Sequence, residues 1–323
     1  MLRLRKALAL GFLFTGFLFA GAAFAVPDGP APSDAGNARA RDPVIVAAGD
    51  IACDPESGGF NNGLGRATSC RQKYTAELVR RINPVVVLNL GDAQYEYGTR
   101  ANFAASYDKS WGAFKAKTWV AAGGSHDYYG GGDFYTYFGS RAGPAPYKNW
   151  YSFDVGAWHV VVLNSQCSND DVGGCEVGSE QEKWLRRDLA KHRTRCTLAM
   201  WHNARWSSGP RHGSDTRTDS FVRALYAAGA EIVLSGHDHD YERFAPQNPD
   251  GNRDDARGLV QFVVGTGGKS LEGSFGTIRP NSLTRTANTF GVLKLTLHPT
   301  SYEWEFVRES GQAFSDSGSA NCR

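Results

Sequence analysis

Short apolar runs alternate along the chain with stretches whose apolar residues recur every three or four positions, and that rhythm predicts the elements. "PVIVAAGD" (43–50) reads as a buried strand, "RQKYTAELVRRI" (71–82) as an amphipathic helix, and "PVVVLNLGD" (84–92) as a second buried strand opened by Pro84, together a βαβ unit. A helix around 101–114, a strand at "TWVAAGG" (118–124) and a hairpin from "WYSFDVG" into "WHVVVLNS" follow. Between them "GGSHDYY" (123–129) is too irregular for the core of a helix or strand and is expected as a loop. Ser179, with Glu182 three residues on, matches a capping box and opens a helix to about His192. Then come a strand at 196–201, a helix at 218–229, a strand at 231–236 and β-rich sequence to the end, including "VQFVVGTGG", "FGVLKLTLH" and "YEWEFV".

Early strands that need crossovers and later ones joined by hairpins predict a layered α/β domain with mixed strand directions. Ligands of such sheets sit beyond the carboxyl ends of the strands. Asp50, Asp92, Ser125-His126, His202 and "GHDHD" (236–240) each follow an apolar run, so five strand ends point polar groups at one rim.

The first 25 residues combine a basic start (Arg3, Arg5, Lys6), an apolar run and an Ala23-Phe24-Ala25 ending, the pattern of a cleaved secretory signal; no basic stop-transfer cluster follows, so no membrane association is expected after cleavage. Residues 26–42 are Pro, Ala and Asp rich and read as a flexible leader to a single domain over 43–323. Losing the three basic residues takes the formal charge from +2 to about −1, which excludes the basic excess of a nucleic-acid binder. Six cysteines suit an oxidising compartment and allow 15 pairings. Spacing favours Cys53 with Cys70 and Cys167 with Cys175, which leaves Cys196 for Cys322. Cysteine-only metal binding is the rival, but no C-x-x-C pair is present.

Asp50 and Asp92 each follow a glycine at the end of a valine- or leucine-rich strand. One such aspartate alone is ordinarily a cap or turn residue; two in equivalent places, with histidines at three further strand ends, point to a metal. "LSGHDHDYER" sets His237 and His239 on a glycine turn, against the rival of a solvated surface turn. The turn also resembles the start of an H-x-H-x-D zinc site, a weak rival because Tyr241 takes the place of its aspartate. His202 and His212 flank a Gly-Ser loop, while His159, His192 and His298 are expected in structural or solvated roles.

In order, "GD" (49–50), "GDAQY" (91–95), "GSHD" (124–127), "WHNARWSSG" (201–209) and "GHDHDYER" (236–243) resemble the calcineurin-like metallophosphoesterases, and within them the purple acid phosphatases, through Tyr95 three residues after Asp92. The resemblance implies a four-layer α/β/β/α sandwich with mixed sheets, in a short secreted bacterial form without the extra N-terminal β-sandwich of larger plant-type members. It implies two metal ions bridged by Asp92, with Asp50, Tyr95 and His239 completing the first site and His202, His237 and the position of Ser125 serving the second. A phenol ionises near pH 10, so Tyr95 argues for Fe(III) in the first site, with Zn(II), Mn(II) or Fe(II) in the second. Packing is the rival role for Tyr95, and the nearby Tyr97 could be confused with it. Two such ions lower the pKa of a bound water and clamp an in-line displacement on a small phosphorylated substrate. His126 and His212 align with the family's phosphate-binding histidines and would protonate the leaving alkoxide as catalytic groups.

Two positions depart from the pattern. Asp50-Ile51-Ala52 replaces the usual Asp-x-Gly, and Ser125 stands where the family has an asparagine that ligates the second metal. Serine is shorter by about one C–C bond, roughly 1.5 Å, while ligand distances tolerate about 0.2 Å. Three readings therefore compete: a phosphomonoesterase, a phosphodiesterase or nucleotide hydrolase of the same fold, and a metal- or phosphate-binding protein crippled at Ser125. The loops at 54–70, 128–150 and 203–217 carry no legible substrate code, and nothing in the chain speaks to oligomeric state.

Overall fold

The computed structural model describes residues 42–121, 124–193 and 196–323; the expected signal segment and, apart from Asp42, the expected leader lie outside the described residues. In chain order the elements are β1 (Val44–Ala48), α1 (Gln72–Ile82), β2 (Val86–Asn89), α2 (Arg100–Ala105), β3 (Thr118–Val120), α3 (Ser125–Tyr129), α4 (Asp133–Phe138), β4 (Tyr151–Val155), β5 (Trp158–Val162), α5 (Glu180–Lys191), β6 (Cys196–Asn203), α6 (Asp219–Ala228) and β7 (Ile232–Gly236). The chain ends in β8 (Tyr241–Phe244), β9 (Val260–Val264), β10 (Ser282–Thr286), β11 (Gly291–Leu297), β12 (Ser301–Arg308) and β13 (Ser317–Asn321).

Two mixed sheets result, one in the order β13-β12-β11-β1-β2-β3 and the other β10-β8-β9-β7-β6-β5-β4. The parallel run β5-β6-β7-β9 forms the centre of the second sheet with antiparallel strands on both sides, whereas β1-β2-β3 makes one side of the first sheet and the antiparallel strands β11-β12-β13 the other. Alternation along β6 shows how the layers close: Leu198 and Met200 join the core shared by the two sheets, while Ala199 and Trp201 pack with Leu185 of α5 and Phe221 and Leu225 of α6. α1 buries Gln72, Thr75, Ala76, Leu78 and Val79, the one-sided spacing of an amphipathic helix, and ends at Asn83, whose left-handed φ of 50° precedes Pro84.

Several expectations are corrected. The helix expected over 101–114 is α2 followed by two short 3-10 turns, because Ser106 and Ser110 interrupt it. The Ser106 hydroxyl donates to the Cys53 carbonyl, 2.6 Å, and Ser110 donates back to the carbonyls of Ser106 and Tyr107, side-chain bonds that compete with a continuous helix. "SHDYY" is a helical turn rather than a loop, α3, packed on the neighbouring aspartates described below. β3 stops at Val120, and β8, β10 and β13 are additional strands. At α5 the Ser179 hydroxyl accepts from the Glu182 N–H as expected, but Glu182 reaches the N–H of Gly178, since that of Ser179 is already bonded to the Glu176 carbonyl. The three disulfides are Cys53–Cys70, Cys167–Cys175 and Cys196–Cys322, as the spacing suggested. No helix among the described residues is long and apolar enough to cross a membrane.

Candidate metal centre

The turns that leave β1 and β2 lie side by side: Asp50 N–H donates to the Gly91 carbonyl and Ile51 N–H to that of Asp92, both at 3.1 Å. The two aspartates thereby stand in equivalent places at one rim. Asp50, Asp92 and His237 hold left-handed φ values of 59°, 48° and 74°, a strain that persists where surrounding contacts over-determine it. Gly124 is required beside them, because a Cβ there would lie 1.8 Å from Asp92 Oδ1.

Tyr95, 2% exposed, points its hydroxyl into the middle of the group. Its Oη lies 2.7 Å from Asp50 Oδ1, 2.9 Å from Asp92 Oδ2 and 3.1 Å from His239 Nε2. Tyr97 is 59% exposed and pairs with Tyr129, which removes the confusion between the two tyrosines. From the second sheet, His202 Nε2 comes 3.5 Å from the same Asp92 oxygen and 3.1 Å from His237 Nδ1. Asp92 Oδ2 thus lies between two groups of donors: Asp50, Tyr95 and His239 on one side, His202 and His237 on the other.

This arrangement fits cations. A phenol has one proton and cannot donate to two carboxylates at once. His202 spends its Nδ1–H on the Leu90 carbonyl, 2.9 Å, which leaves Nε2 as the nitrogen that faces the Asp92 carboxylate, where a proton or a metal ion would bind. Burial opposes ionisation of Asp50 and Asp92, yet the facing histidines, His239 for the first and His202 for the second, hold both carboxyls below their ordinary range. Burial would lower His202, but Asp92 outweighs it and carries the imidazole up to about 10. His237, buried beside His202 and His212, is pushed down to about 3. Burial, then Asp50 and Asp92, push the Tyr95 phenol well above its ordinary range, so only a highly charged cation would ionise it.

Around these donors stand the remaining expected residues. Ser125 is half-buried at the start of α3, between Gly124 and His126, and the His126 N–H donates to Asp92 Oδ1 at 3.0 Å. His126 stacks 4.2 Å from Tyr95 and gives its Nδ1–H to the Glu96 carbonyl, 2.6 Å, leaving Nε2 as its free nitrogen. On the other flank the His212 ring lies 3.9 Å from that of His237.

A family model for calcineurin-like phosphoesterases matches residues 43–241. The chain belongs to that family. Purple acid phosphatase 18 of Arabidopsis thaliana is 32% identical over 124 residues, 37% of this chain and 26% of the plant protein. The chain therefore matches well under two thirds of that relative's length. Purple acid phosphatase PPD1 of yellow lupin shares the fold with a TM-score of 0.62 and 20% identity over 86% of this chain and 53% of its own. GAP50, the anchor in the inner membrane complex of Plasmodium, does so at 0.64 and 14% identity over 88% and 90%.

In this calcineurin-like phosphoesterase several positioning residues escape sequence reasoning. The Asp127 carboxylate accepts the N–H groups of Asp92 and Ala93, at 2.9 and 3.0 Å, and sets the turn of the shared aspartate. Asp238 accepts from the Ser207 hydroxyl, 2.5 Å, and from the N–H groups of Gly213 and His212, so it grips the loop that carries His212. Ser270 contacts His239 Nδ1 at 2.6 Å, and Lys269, ion-paired with Glu96, lies 4.4 Å over the Tyr95 ring. The motifs quoted both Asp127 and Asp238 without assigning them a part; nothing local marked Ser270 or Lys269. Arg205, the charged residue of the "WHNARWSSG" motif, pairs with Asp219. A cavity of about 420 Å³ opens beside His212 and His237, lined also by Asn203, Arg211 and Arg217.

Proposed function

We propose that this chain is a secreted hydrolase of phosphate monoesters that works with two metal ions, Fe(III) held by Asp50, Tyr95, His239 and Asp92, and Zn(II), Mn(II) or Fe(II) held by Asp92, His202, His237 and the side of the site at Ser125. The observation that carries this reading is the Tyr95 hydroxyl amid two buried carboxylates and an imidazole, a donor set for a highly charged ion. Bound there, two ions supply Lewis acidity for phosphate oxygens and lower the pKa of a coordinated water.

The chain's own residues do the rest. His126, its Nδ1 occupied by the Glu96 carbonyl, presents Nε2 to the substrate and hands a proton to the leaving alkoxide. His212 binds the phosphate from the opposite flank, on a loop that Asp238 keeps in place. The cavity beside it has room for a small phosphorylated substrate, and Arg211, paired with Glu272 but largely exposed, is the guanidinium there that could turn to an anion. Export fits the three disulfides. Ser125 favours one second reading, a metal- or phosphate-binding protein without turnover.

Metal analysis of the purified chain, paired with hydrolysis of a generic phosphomonoester, tests this. Two metals with turnover, and a visible phenolate-to-iron absorption band lost in Tyr95→Phe, are expected. A colourless iron-loaded protein would remove Tyr95 as a ligand; metal without turnover, rescued by Ser125→Asn, would favour the binding protein.

A further inference from the structure

At the opposite end of the second sheet from the rim, His159 of β5, Asp188 of α5 and His192 at the end of that helix bring three donor atoms within 4.8 Å of one another. His159 and Asp188 are buried, whereas the His192 side chain is 39% exposed and leaves one side open to solvent. His159 Nδ1 lies 2.8 Å from Asp154 Oδ1, and its Nε2 lies 2.8 Å from Asp188 Oδ2. A neutral imidazole carries a single N–H, so one of these contacts opposes a nitrogen lone pair to a carboxylate unless a positive charge lies between. A second proton is one such charge; a metal ion is the other.

The surroundings favour the ion. A carboxylate on the far nitrogen, here Asp154, is the device that orients a ligating histidine, and the Ser152 hydroxyl donates to Asp188 Oδ1 at 2.8 Å and steadies the second donor. His192 stands on the same side: its ring stacks 4.4 Å from that of His159, and its Nδ1 lies 3.2 Å from Asp188 Oδ1 and 3.1 Å from the Asp188 carbonyl, an atom it would turn from to join an ion. Asp188 and His192 are one helical turn apart, the spacing that puts two ligands on one face.

We propose that His159 Nε2, Asp188 and His192 bind one divalent ion of the zinc type, with water on the exposed side, at a site separate from the rim. Zinc takes imidazole and carboxylate ligands at about 2.0–2.1 Å in a tetrahedron, which spaces neighbouring ligand atoms about 3.3 Å apart. The two histidines face different oxygens of Asp188, Oδ2 at 2.8 Å and Oδ1 at 3.2 Å, so the carboxylate would hold the ion between them, and the three ligand atoms, within 4.8 Å of one another, would draw together to that spacing. Asp154 and Asp188 balance the charge of the ion, which would tie the β4–β5 hairpin to the end of α5. The proposal is independent of the reaction at the rim.

Crystals of the intact chain soaked in millimolar zinc, measured at the zinc absorption edge, test it. An anomalous peak among His159, Asp188 and His192 is expected in the wild type and absent in His192→Ala, a change at a partly exposed residue that spares the buried pair. In solution the wild type should hold more zinc than His192→Ala, by about one equivalent per chain. Asp188→Asn, which keeps the shape of the ligand without its charge, should lose the same equivalent. A wild-type map with no peak there would leave a doubly bonded imidazolium and overturn the proposal, as would a peak that survives His192→Ala.

Discussion

Asp92 is shaped by its neighbours more than by its own motif. One oxygen takes the His126 N–H, the other faces Tyr95 and His202, and its backbone is clamped by Asp127. Ser125 opens the helical turn packed against this aspartate, on a side chain too short by about 1.5 Å to do what an asparagine does in the family. Ser125→Asn should therefore hold the second metal more firmly, with chelator-driven loss slowed at least about tenfold, the scale on which even indirect partners change metal affinity. Equal loss from both proteins, followed by metal content against time, would discard the idea. At this scale the donors were legible because aspartate or histidine directly after a buried apolar run is conspicuous. Asp127, Asp238 and Lys269 were not, because their meaning lies in backbone groups and rings from 25 to 174 positions away along the chain.

Elements that bury a continuous apolar run, such as β2, β6 and β7, announced themselves, and so did α1 through one-sided spacing and α5 through its capping box. Of those that escaped, β8 is a buried internal strand only four residues long, too short to show a period, and the other two sit at the margins. β10 ("SLTRT") and β13 ("SGSAN") are the edge strands of their sheets and are only partly buried, so they carry little apolar alternation to read. β13 is held from outside its own sequence, by pairing with β12 and by the disulfide from the adjoining Cys322 to Cys196 at the start of β6. That bridge spans 126 positions and Cys167–Cys175 only 8, so loop-closure entropy ranks them at about 5 and about 2.5 kcal/mol. Denaturant unfolding of the two double Cys→Ser variants should show the larger loss for Cys196/Cys322, and the reverse order would contradict an entropic origin.

Across the whole molecule the two sheets meet over an apolar core with a polar tie at one margin. Asp316, just before β13, accepts from the Tyr241 hydroxyl and Arg243 of β8 and from the Trp304 indole of β12, at 2.6 to 3.2 Å, so one carboxylate links both sheets. Burial works against its charge, but Arg243 and Tyr241 prevail and hold its pKa below the ordinary carboxylate value. Its contribution is therefore complete above the unfolded-state pKa of about 3.9 and is lost as pH falls through the lower folded value. Asp316→Asn should cost about 3 kcal/mol at pH 7, where it leaves Arg243 without its partner. It should also flatten the decline of stability below about pH 4, read from urea unfolding at stepped pH.

The candidate centre draws Asp50, Asp92 and Tyr95 from the first sheet and His202, His237 and His239 from the second, and Asp50 Oδ2 already accepts the His237 N–H across the boundary at 2.9 Å. The Cys196–Cys322 bond crosses the same boundary at the start of β6, the far end of the strand from His202. One seam thus has fasteners of different chemistry at its two ends. One answers to the redox poise of the compartment, the other, on the proposed function, to the supply of metal, and a chain starved of either would then begin to part from opposite ends.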